Sequence, residues 1–399
     1  MAKKAKKKRI GRPPAFLLWL LYHVFYPHYR HRYGLSLDAP TLRGLKGPSI
    51  VLAAHTSNKD HWLMGMALYP ARPTFVVSEH FMKNPALRPL LKIARVITKK
   101  MFSADVSTVM NMMRAIKEGN TVVLFPEGRL SCNGRTTRPL AGTATLLKKL
   151  GVDVYVATAN GAALTFPKWG KTPRRGRISI TGGLLIPKEE LATLSLPEIE
   201  ERVAVALAHD DFAAMADIPY KSDAPAVGLD GILYRCPKCG ECFKMASAEN
   251  YLSCSCGFSA TLDERYNLHG APFSTILEWY DWQTAQLDLT EPLVCDARIG
   301  AVDERGNMDP NAGRARVTLS PDTITFDGTV FGEHVAFTRT TDVVTALPIT
   351  VGQHFDVYHN NTLYYIYPEP DHRAAVMWVS YLDRVTEERR LAAACRNPS

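Results

Sequence analysis

Between residues 36 and 221, short apolar runs with the length of strands alternate with helical patterns. The clearest helical pattern covers 104–117, where Val106, Val109, Met113 and Ile116 share one face, and a second covers 140–150. Strands that alternate with helices predict a mostly parallel sheet covered by helices on both faces. The predicted strands are 49–54, 74–78, 121–125, 154–159 and 177–181.

A polar string directly follows the first predicted strand and contains His55 and, five residues later, Asp60. In α/β sheets, ligands bind beyond the carboxyl ends of the strands. A histidine there can act as a general base, and a carboxylate can hold its tautomer. With the Glu127 and Arg129 pair at a second strand end, this pattern indicates acyl transfer in which the substrate's own hydroxyl attacks and no enzyme nucleophile is needed. Taken alone, this string is more typical of a strand-end histidine that bonds only to backbone groups, and the second polar string changes that balance.

A second polar string, Phe125-Pro126-Glu127-Gly128-Arg129, follows another predicted strand. Its proline ends the strand because it cannot donate to the ladder, and Gly128 lets a ligand approach the backbone closely. Arg129 can grip a phosphate through two parallel hydrogen bonds. Glu127 can accept from a substrate hydroxyl or orient Arg129. Lys99, Lys100, Arg135 and Arg138 either add positive charge to this site or form an ordinary solvated surface.

Together the two strings resemble the motifs His-x-x-x-x-Asp and Phe-Pro-Glu-Gly of the PlsC-like glycerolipid acyltransferases, the lysophosphatidic-acid type. The resemblance covers about residues 36–215. It implies that His55 is the general base and Asp60 its partner, and that Glu127, Gly128 and Arg129 bind the acceptor's glycerol phosphate. It also implies a thioester donor, acyl-CoA or acyl carrier protein, and a lysophospholipid acceptor such as 1-acyl-glycerol-3-phosphate.

Two departures from the family pattern concern acceptor recognition more than catalysis. Lys100 stands where the family's intermediate motif has arginine, so the charge is kept but the bidentate fork is lost. Asp153 stands where a fourth motif has proline. Lys100 is therefore a predicted substrate-binding residue for an acceptor that can differ from lysophosphatidic acid. Another lyso-lipid or a glycolipid is the alternative acceptor.

The first 37 residues hold nine lysines and arginines and no acid, so the rest of the chain is formally neutral although the whole carries +9. The apolar residues 15–26 would form a helix of about 18 Å, shorter than the roughly 30 Å bilayer core. We expect residues 1–35 to be an interfacial anchor on an anionic membrane, with the protein peripheral or monotopic on the cytoplasmic side. A signal peptide and docking on the protein's own surface are the alternatives.

Four cysteines, Cys236, Cys239, Cys254 and Cys256, fall in two tight turns within the segment 231–266. This clustering predicts a zinc ribbon with one structural zinc ion in a reducing compartment. Cys242 is a rival ligand. A zinc ribbon beside a basic arm also permits a different function, a nucleic-acid- or lipid-binding protein whose acyltransferase domain is inactive. The neutral body argues against nucleic acid as a partner.

The region 290–399 is rich in strand patterns and ends in a helical pattern at about 371–394. The alternating runs are 315–319, 323–326, 333–338, 355–359 and 362–367, with turns predicted at 327–328 and 360–361. Several antiparallel strands closed by one helix resemble a pleckstrin-homology-like barrel. The predicted fold class is thus an α/β acyltransferase domain at 36–221, a small zinc ribbon, and a β-rich, barrel-like C-terminal domain.

Overall fold

The computed structural model describes residues 9–102, 105–303, 306–360 and 362–396. The lysine run at 3–8 therefore lies outside the described residues. The strands of the α/β part are β1 (Leu35–Leu37), β2 (Ser49–Ala53), β3 (Thr74–Ser78), β4 (Ile97–Lys99), β5 (Thr121–Leu124), β6 (Asp153–Asn160) and β7 (Ile178–Ile186). They form one sheet in the order β1-β7-β6-β2-β5-β3-β4. Only the β6–β7 pair is antiparallel, so the predicted mostly parallel sheet is confirmed.

Helices cover this sheet and close its crossovers. Their bounds are α1 (Ala15–Leu20), α2 (Tyr26–Tyr33), α3 (Asp60–Leu68), α4 (Arg88–Ile93), α5 (Val106–Lys117), α6 (Thr143–Leu150), α7 (Ala162–Thr165), α8 (Lys188–Thr193), α9 (Leu196–Leu207) and α10 (Asp211–Ala214), with a 3-10 turn at Glu79–Lys83. The predicted helix at 104–117 begins two residues late because Asp105 is its N-cap and accepts from the Thr108 amide.

The order of the strands brings the two polar strings together. Strands β2 and β5 are parallel neighbours, with Ser49 opposite Thr121 and Leu52 opposite Leu124. Both strands are fully buried, which explains their continuous apolar sequences. Since parallel neighbours end at the same edge, the residues after Ala53 and after Leu124 share one rim of the sheet.

The N-terminal helix lies against the α/β part. A π-helical turn, Leu21–Phe25, joins α1 to α2, and the helix ends at Gly34 in the left-handed region (φ 59°). Its inner face packs on α3: Phe25 meets Trp62 edge-on at 5.4 Å between ring centroids, and Tyr22 stacks on Tyr69 at 4.3 Å. Its outer face exposes apolar side chains, with Phe16 62%, Trp19 53%, Leu20 39% and Val24 50% exposed. No helix within the described residues is both long and apolar enough to span a bilayer.

The residues before this helix are tied to the amino end of β5. The backbone amides of Ile10 and Gly11 donate to the Glu118 carboxylate at 3.2 and 2.9 Å. Arg12 donates to the Asn120 side chain at 3.1 Å and to the Gly119 carbonyl at 2.7 Å. Arg12 is exposed, and it also acts as a structural contact in the described part of the arm.

A small antiparallel sheet and one helix follow the α/β part. The sheet consists of β8 (Met245–Ala248), β9 (Tyr251–Cys254), β10 (Ser259–Leu262) and β11 (Leu268–His269), in the order β11-β10-β9-β8. A 3-10 turn at Leu229–Gly231 precedes it, and α11 (Ile276–Ala285) follows. Gln283 of α11 joins them, since it accepts from the Tyr234 amide at 2.9 Å and donates to the Ile232 carbonyl at 2.6 Å.

The C-terminal region is a seven-stranded antiparallel sheet with one long helix. Its elements are β12 (Leu293–Val302), β13 (Met308–Leu319), β14 (Thr323–Val330), β15 (Glu333–Thr340), β16 (Ile349–Thr350), β17 (His354–His359), β18 (Thr362–Pro368), a 3-10 turn at His372–Ala374 and α12 (Ala375–Arg396). The strand order is β15-β14-β13-β12-β18-β17-β16. The resemblance to a pleckstrin-homology-like barrel stays a prediction.

The turn predicted at 327–328 is wrong. Asp327 pairs with Arg316 on one side and Ala336 on the other, so β14 continues and the chain reverses at Phe331 and Gly332. Gly328 is needed for close strand approach, because a Cβ there would lie 2.4 Å from the Cβ of Ala315. The other predicted turn falls between β17 and β18, where Asn360 has φ 46° and Asn361 lies outside the described residues.

One hydrophobic core runs through all three parts of the chain. It contains Leu164 and Trp169 from the α/β part, Leu252 and Phe258 from the small sheet, and further residues of the C-terminal region. Those further residues include Phe326, Phe355, Trp378 and Leu382. Two separate clusters line the faces of the seven-stranded α/β sheet. The C-terminal region therefore lies directly on the α/β part.

Candidate active site and candidate metal site

His55 and Asp60 meet just beyond β2. The chain turns after Ala54 so that α3 begins at Asp60, and the His55 Nδ1 atom lies 2.9 Å from Asp60 Oδ2. The same oxygen accepts from the Ser57 amide at 2.9 Å. Burial raises the pKa of Asp60, and the bonds from His55 and Ser57 oppose that rise. The His55 ring stacks on Phe125 at 4.4 Å between centroids, so its orientation is held from two directions.

The other ring nitrogen of His55 is available for chemistry. The His55 side chain is 22% exposed whereas Asp60 has no exposure. Within the described residues, Nε2 has no hydrogen-bond partner. With Nδ1–H donating to the carboxylate, Nε2 is the basic nitrogen, and it can accept a proton from a substrate.

Glu127 binds the backbone of both loops instead of facing solvent. Its Oε1 accepts from the His55 amide at 2.7 Å, and its Oε2 accepts from the Thr137 amide at 3.0 Å. Burial raises the pKa of Glu127 to about 8, against the opposing effect of these two amides. The Ser131 amide also donates to the His55 carbonyl at 3.0 Å. Glu127 therefore joins the two strand ends, so its geometry is that of a positioning residue.

Gly128 provides a tight turn next to Glu127. Its φ is +74°, and a Cβ at this position would come within 2.5 Å of the Leu140 side chain. A residue with a side chain would be strained by the backbone angle and would clash with Leu140. The group that comes close to the Gly128 backbone is thus the Leu140 side chain.

Arg129 lies between the α/β part and the C-terminal helix. Its Nη2 donates to the carboxylate of Asp383 in α12, and its side chain is only 5% exposed. Burial lowers the pKa of Arg129, but the neighbouring Asp383 carboxylate more than compensates and raises it. Its Nη1 is buried, with no hydrogen-bond partner among the residues that the structure describes. Part of the predicted phosphate fork is therefore already occupied by an anion of this chain.

Asp383 was missed in the sequence because it lies 254 positions from Arg129. One signal was present: Asp383 interrupts the apolar stretch around Trp378, Tyr381 and Leu382, all of which are buried. A carboxylate on the buried face of a helix requires a partner. Nothing in the sequence identified Arg129 as that partner.

A cavity of about 710 Å³ opens beside this ion pair. Its walls come from the loop after Arg129, from α9 and from the C-terminal region, including Thr341 and Thr386. Glu127 and Arg129 line it, whereas His55 is not among the lining residues. Glu127 therefore links the cavity to the base, because it lines the cavity and accepts from the His55 backbone amide.

Other predicted cations do not join this site. Lys100 follows β4 at the edge of the sheet, two strands from β5, and its amide donates to Asp105 at 2.8 Å. Lys100 lines neither this cavity nor a small one beside Ser131. Arg135 pairs with Asp281 at 3.0 Å. Arg138 is the exception among these predicted cations, because it lines the large cavity, where it pairs with Glu201 at 2.7 Å.

Buried polar contacts connect the loop after Arg129 to the C-terminal helices. The Cys132 sulfur lies 3.7 Å from the Tyr280 hydroxyl of α11, which lies 2.8 Å from the Ser380 hydroxyl of α12. Lys168 donates to the Leu130 carbonyl at 3.1 Å, and burial lowers its pKa to about 8. None of these contacts was foreseen. The contacts of Tyr280 hold the C-terminal region against the site, whereas the Lys168 contact lies within the α/β part.

The four predicted cysteine ligands converge. Their sulfur atoms all lie within 4.8 Å of one another, with Cys236 and Cys256 at 3.7 Å and Cys239 and Cys254 at 3.9 Å. A tetrahedral zinc site with Zn–S bonds of about 2.3 Å places its sulfurs about 3.8 Å apart, so the four residues fit that ion. The rival, Cys242, is not part of the cluster, and it lies in a bridge to Arg235.

Comparison with known proteins assigns part of the chain. Residues 31–159, about a third of the chain, match the family model described as Acyltransferase. This segment contains both polar strings, and we call it the acyltransferase-type segment after the family model that it matches. The chain also has partial similarity to the crystal structure of the 1-acyl-sn-glycerophosphate (LPA) acyltransferase PlsC from Thermotoga maritima. That similarity has a TM-score of 0.41 and 18% identity, and it covers 48% of this chain and 77% of that chain.

Proposed function

We propose that this protein is an O-acyltransferase that transfers a fatty acyl group from a thioester donor to a hydroxyl of a single-chain glycerolipid. Two observations support this proposal. The acyltransferase-type segment 31–159 contains both polar strings. The observation that carries the proposal is the His55–Asp60 contact of 2.9 Å, with Nε2 left free on a partly exposed ring.

In the proposed mechanism, His55 acts as the general base. Its Nε2 removes the proton of the acceptor hydroxyl as that oxygen attacks the thioester carbonyl, and Asp60 stabilises the resulting imidazolium. The tetrahedral intermediate then expels the thiolate. His55 returns its proton to the sulfur, so the products are an ester and a free thiol.

The acceptor is a lysophospholipid such as 1-acyl-glycerol-3-phosphate if this chain follows the family it resembles, and the donor is acyl-CoA or acyl carrier protein. Another lyso-lipid or a glycolipid is the second candidate acceptor. The Arg129–Asp383 ion pair favours this second candidate, because a phosphate would have to compete with Asp383 for the guanidinium.

The test is acyl transfer by the purified protein from acyl-CoA or acyl carrier protein to a panel of lyso-lipids, followed by mass analysis. We expect His55→Ala to lower turnover about 10²–10⁴-fold, the usual effect of losing a general base. His334→Ala is the matched control, since His334 is exposed on β15 in a surface pair with Asp327. Wild-type turnover by His55→Ala would refute the assignment.

Direct attack by the acceptor predicts sequential kinetics in which both substrates are bound before any product leaves. Double-reciprocal plots at several donor concentrations should intersect. Isolation of an acylated protein after incubation with the donor alone would contradict direct attack and would instead require an enzyme nucleophile.

We propose that Cys236, Cys239, Cys254 and Cys256 hold one structural zinc ion. The sulfur spacing supports this proposal. Gly240 and Gly257 follow the two turns with φ of 76° and 81°, which suits the tight turns of such ligand pairs. A site with four thiolates leaves no open coordination position, so its contribution is folding energy for this part of the chain.

We also propose that the protein lies on the cytoplasmic side of an anionic membrane as a peripheral or monotopic protein. The exposed apolar residues of α1 and the turn after it support this, because they face away from the surface on which the helix packs. The lysines at 3–8 precede them in the sequence. Apolar and basic groups together are the usual requirement for interfacial binding.

A further inference from the structure

The residues around the large cavity carry the next inference. Six carboxyl groups line this cavity, and only four guanidinium groups face them. The carboxyl groups belong to Glu127, Glu200, Glu201, Asp342, Asp383 and Glu387. The guanidinium groups belong to Arg129, Arg138, Arg389 and Arg390. The formal charge of the lining is therefore negative, and it remains negative if Glu127 holds a proton.

All four arginines already have carboxylate partners, and the partner of Arg389 is Asp322, outside the lining, at 2.8 Å. Arg138 pairs with Glu201 at 2.7 Å, Arg390 with Glu387 at 2.6 Å, and Arg129 with Asp383. A phosphomonoester carries nearly two negative charges, so it would enter a cavity whose lining repels it. An uncharged head group avoids that cost.

The cavity offers acceptors for ligand hydroxyl groups. Of the threonines in its lining, Thr341 donates to the Pro321 carbonyl and Thr386 donates to the Thr345 carbonyl at 3.3 Å, so both donors are already engaged. The six carboxyl groups of the lining can accept from a ligand hydroxyl when they are ionised. A polyol or sugar supplies such hydroxyl donors, whereas a phosphate dianion supplies none.

We infer that this cavity receives the head group of the acceptor, and that Asp383 selects a head group that is uncharged and rich in hydroxyls. The cavity borders the His55 loop through Glu127, and the C-terminal helix completes it. The inference rests on the proposed acyl transfer and deepens it by naming the acceptor class. Asp383 holds Arg129 in place, and its carboxylate neutralises the guanidinium charge that a phosphate would need. It is a specificity-determining residue supplied from outside the acyltransferase-type segment.

The experiment compares two acceptors with the same acyl chain, 1-lauroyl-glycerol and 1-lauroyl-glycerol-3-phosphate, with one acyl-CoA donor and the full chain. We expect the wild-type protein to favour the uncharged acceptor in kcat/KM. Asp383→Asn should shift the ratio of the two kcat/KM values toward the phosphate acceptor by at least about tenfold, since it removes one like charge from the pocket.

Glu388→Gln is the matched control because it removes a carboxylate from the same helix outside the cavity, where Glu388 pairs with Arg384 at 3.0 Å. It should leave the ratio unchanged. A wild-type preference for the phosphate acceptor would overturn the inference without any variant. An equal shift in Asp383→Asn and Glu388→Gln would also overturn it.

Calorimetric titration of the two lipids separates this inference from the proposed function. If the wild-type protein acylates neither lipid, and His55→Ala gives the same result as wild type, the proposed function fails. The ratio of the two binding constants, and its change in Asp383→Asn, still decides the selectivity. Tighter binding of the phosphate lipid to the wild-type protein would reject it, and tighter binding of the uncharged lipid would support it.

Discussion

At the scale of single residues, Asp60 determines which nitrogen of His55 carries the proton. Asp60→Asn can present its amide NH₂ to Nδ1 and so favour the tautomer in which Nε2 is protonated. We expect kcat to fall by about 10²–10⁴, as for loss of the base itself. The variant should be compared with wild type by steady-state assay and by thermal melting, and a wild-type rate in the folded variant would contradict the role of Asp60.

Glu127 predicts a pH dependence of stability. Burial raises its folded-state pKa to about 8 from an ordinary value of 4.5, so the folded state keeps the proton more tightly than the unfolded chain does. Its contribution to the free energy of unfolding is therefore full below about pH 4.5 and is lost as pH rises through about 8. Glu127→Gln removes this dependence.

Urea unfolding at pH 5 and at pH 8 measures this pH dependence. The difference in free energy of unfolding between wild type and Glu127→Gln should favour wild type more at pH 5. An advantage that grows with pH would show instead that the carboxylate is stabilised by the amides of His55 and Thr137. A constant advantage would show that the pKa of Glu127 is unchanged by folding.

Local chemistry was predictable from the sequence, whereas distant partners were not. His55 and Asp60 are five residues apart at a strand end, so one turn of backbone brings them together. The four cysteines could be grouped into one ligand set from their spacing for a similar reason. The charge of Arg129 was evident from the sequence. Its partner, Asp383, was not, because that contact depends on how two parts of the chain pack. The phosphate site predicted for Arg129 took no account of that partner.

At the scale of elements, the N-terminal helix combines two of the roles considered for it. It docks on α3 through Phe25 and Tyr22 and still exposes Phe16, Trp19 and Val24. A hydropathy pattern could identify the apolar stretch. It could not divide that stretch into a packed face and an exposed face, because both faces are apolar.

Replacing Phe16, Trp19 and Val24 together by serine should weaken binding to anionic vesicles at least about tenfold. Each large apolar side chain that leaves the lipid interface forfeits a part of the about 1.5–3 kcal/mol of full burial. Vesicle sedimentation measures this. Val205→Ser is the control, because Val205 is 65% exposed on α9. Unchanged sedimentation of the triple variant would locate the membrane contact elsewhere.

For the cysteine cluster, we expect Cys236→Ser to abolish stoichiometric zinc and to lower the melting temperature, because Cys236 is buried in the shared core. Cys242→Ser should retain one zinc per chain, since Cys242 lies outside the cluster. Zinc content by atomic emission together with thermal melting tests both. Loss of zinc from Cys242→Ser would make Cys242 a ligand after all.

At the scale of the whole molecule, the shared core predicts cooperative unfolding. Leu164 and Trp169 of the α/β part belong to the same cluster as Phe258 of the small sheet and Trp378 of α12. Calorimetry should show one main transition for the full chain. A fragment ending at residue 221 should be unstable, because these residues would lose their partners. Separate, well-resolved transitions would contradict this.

The predicted division into parts at 36–221, 231–266 and 290–399 follows composition, and composition does not report packing between parts. The mostly parallel sheet was predictable because buried parallel strands have continuous apolar sequences. The packing of the C-terminal region on the α/β part was not predictable, because contacts such as Cys132 with Tyr280 depend on single buried polar atoms.

The long separation between Arg129 and Asp383 also has a consequence for synthesis on the ribosome. Arg129 is translated 254 residues before Asp383, so it leaves the exit tunnel before its partner exists. Until then the guanidinium is uncovered, and a nascent chain presents a more cationic pocket than the finished protein. Any anion or chaperone that meets Arg129 during this interval must be released before the last helix can settle into place.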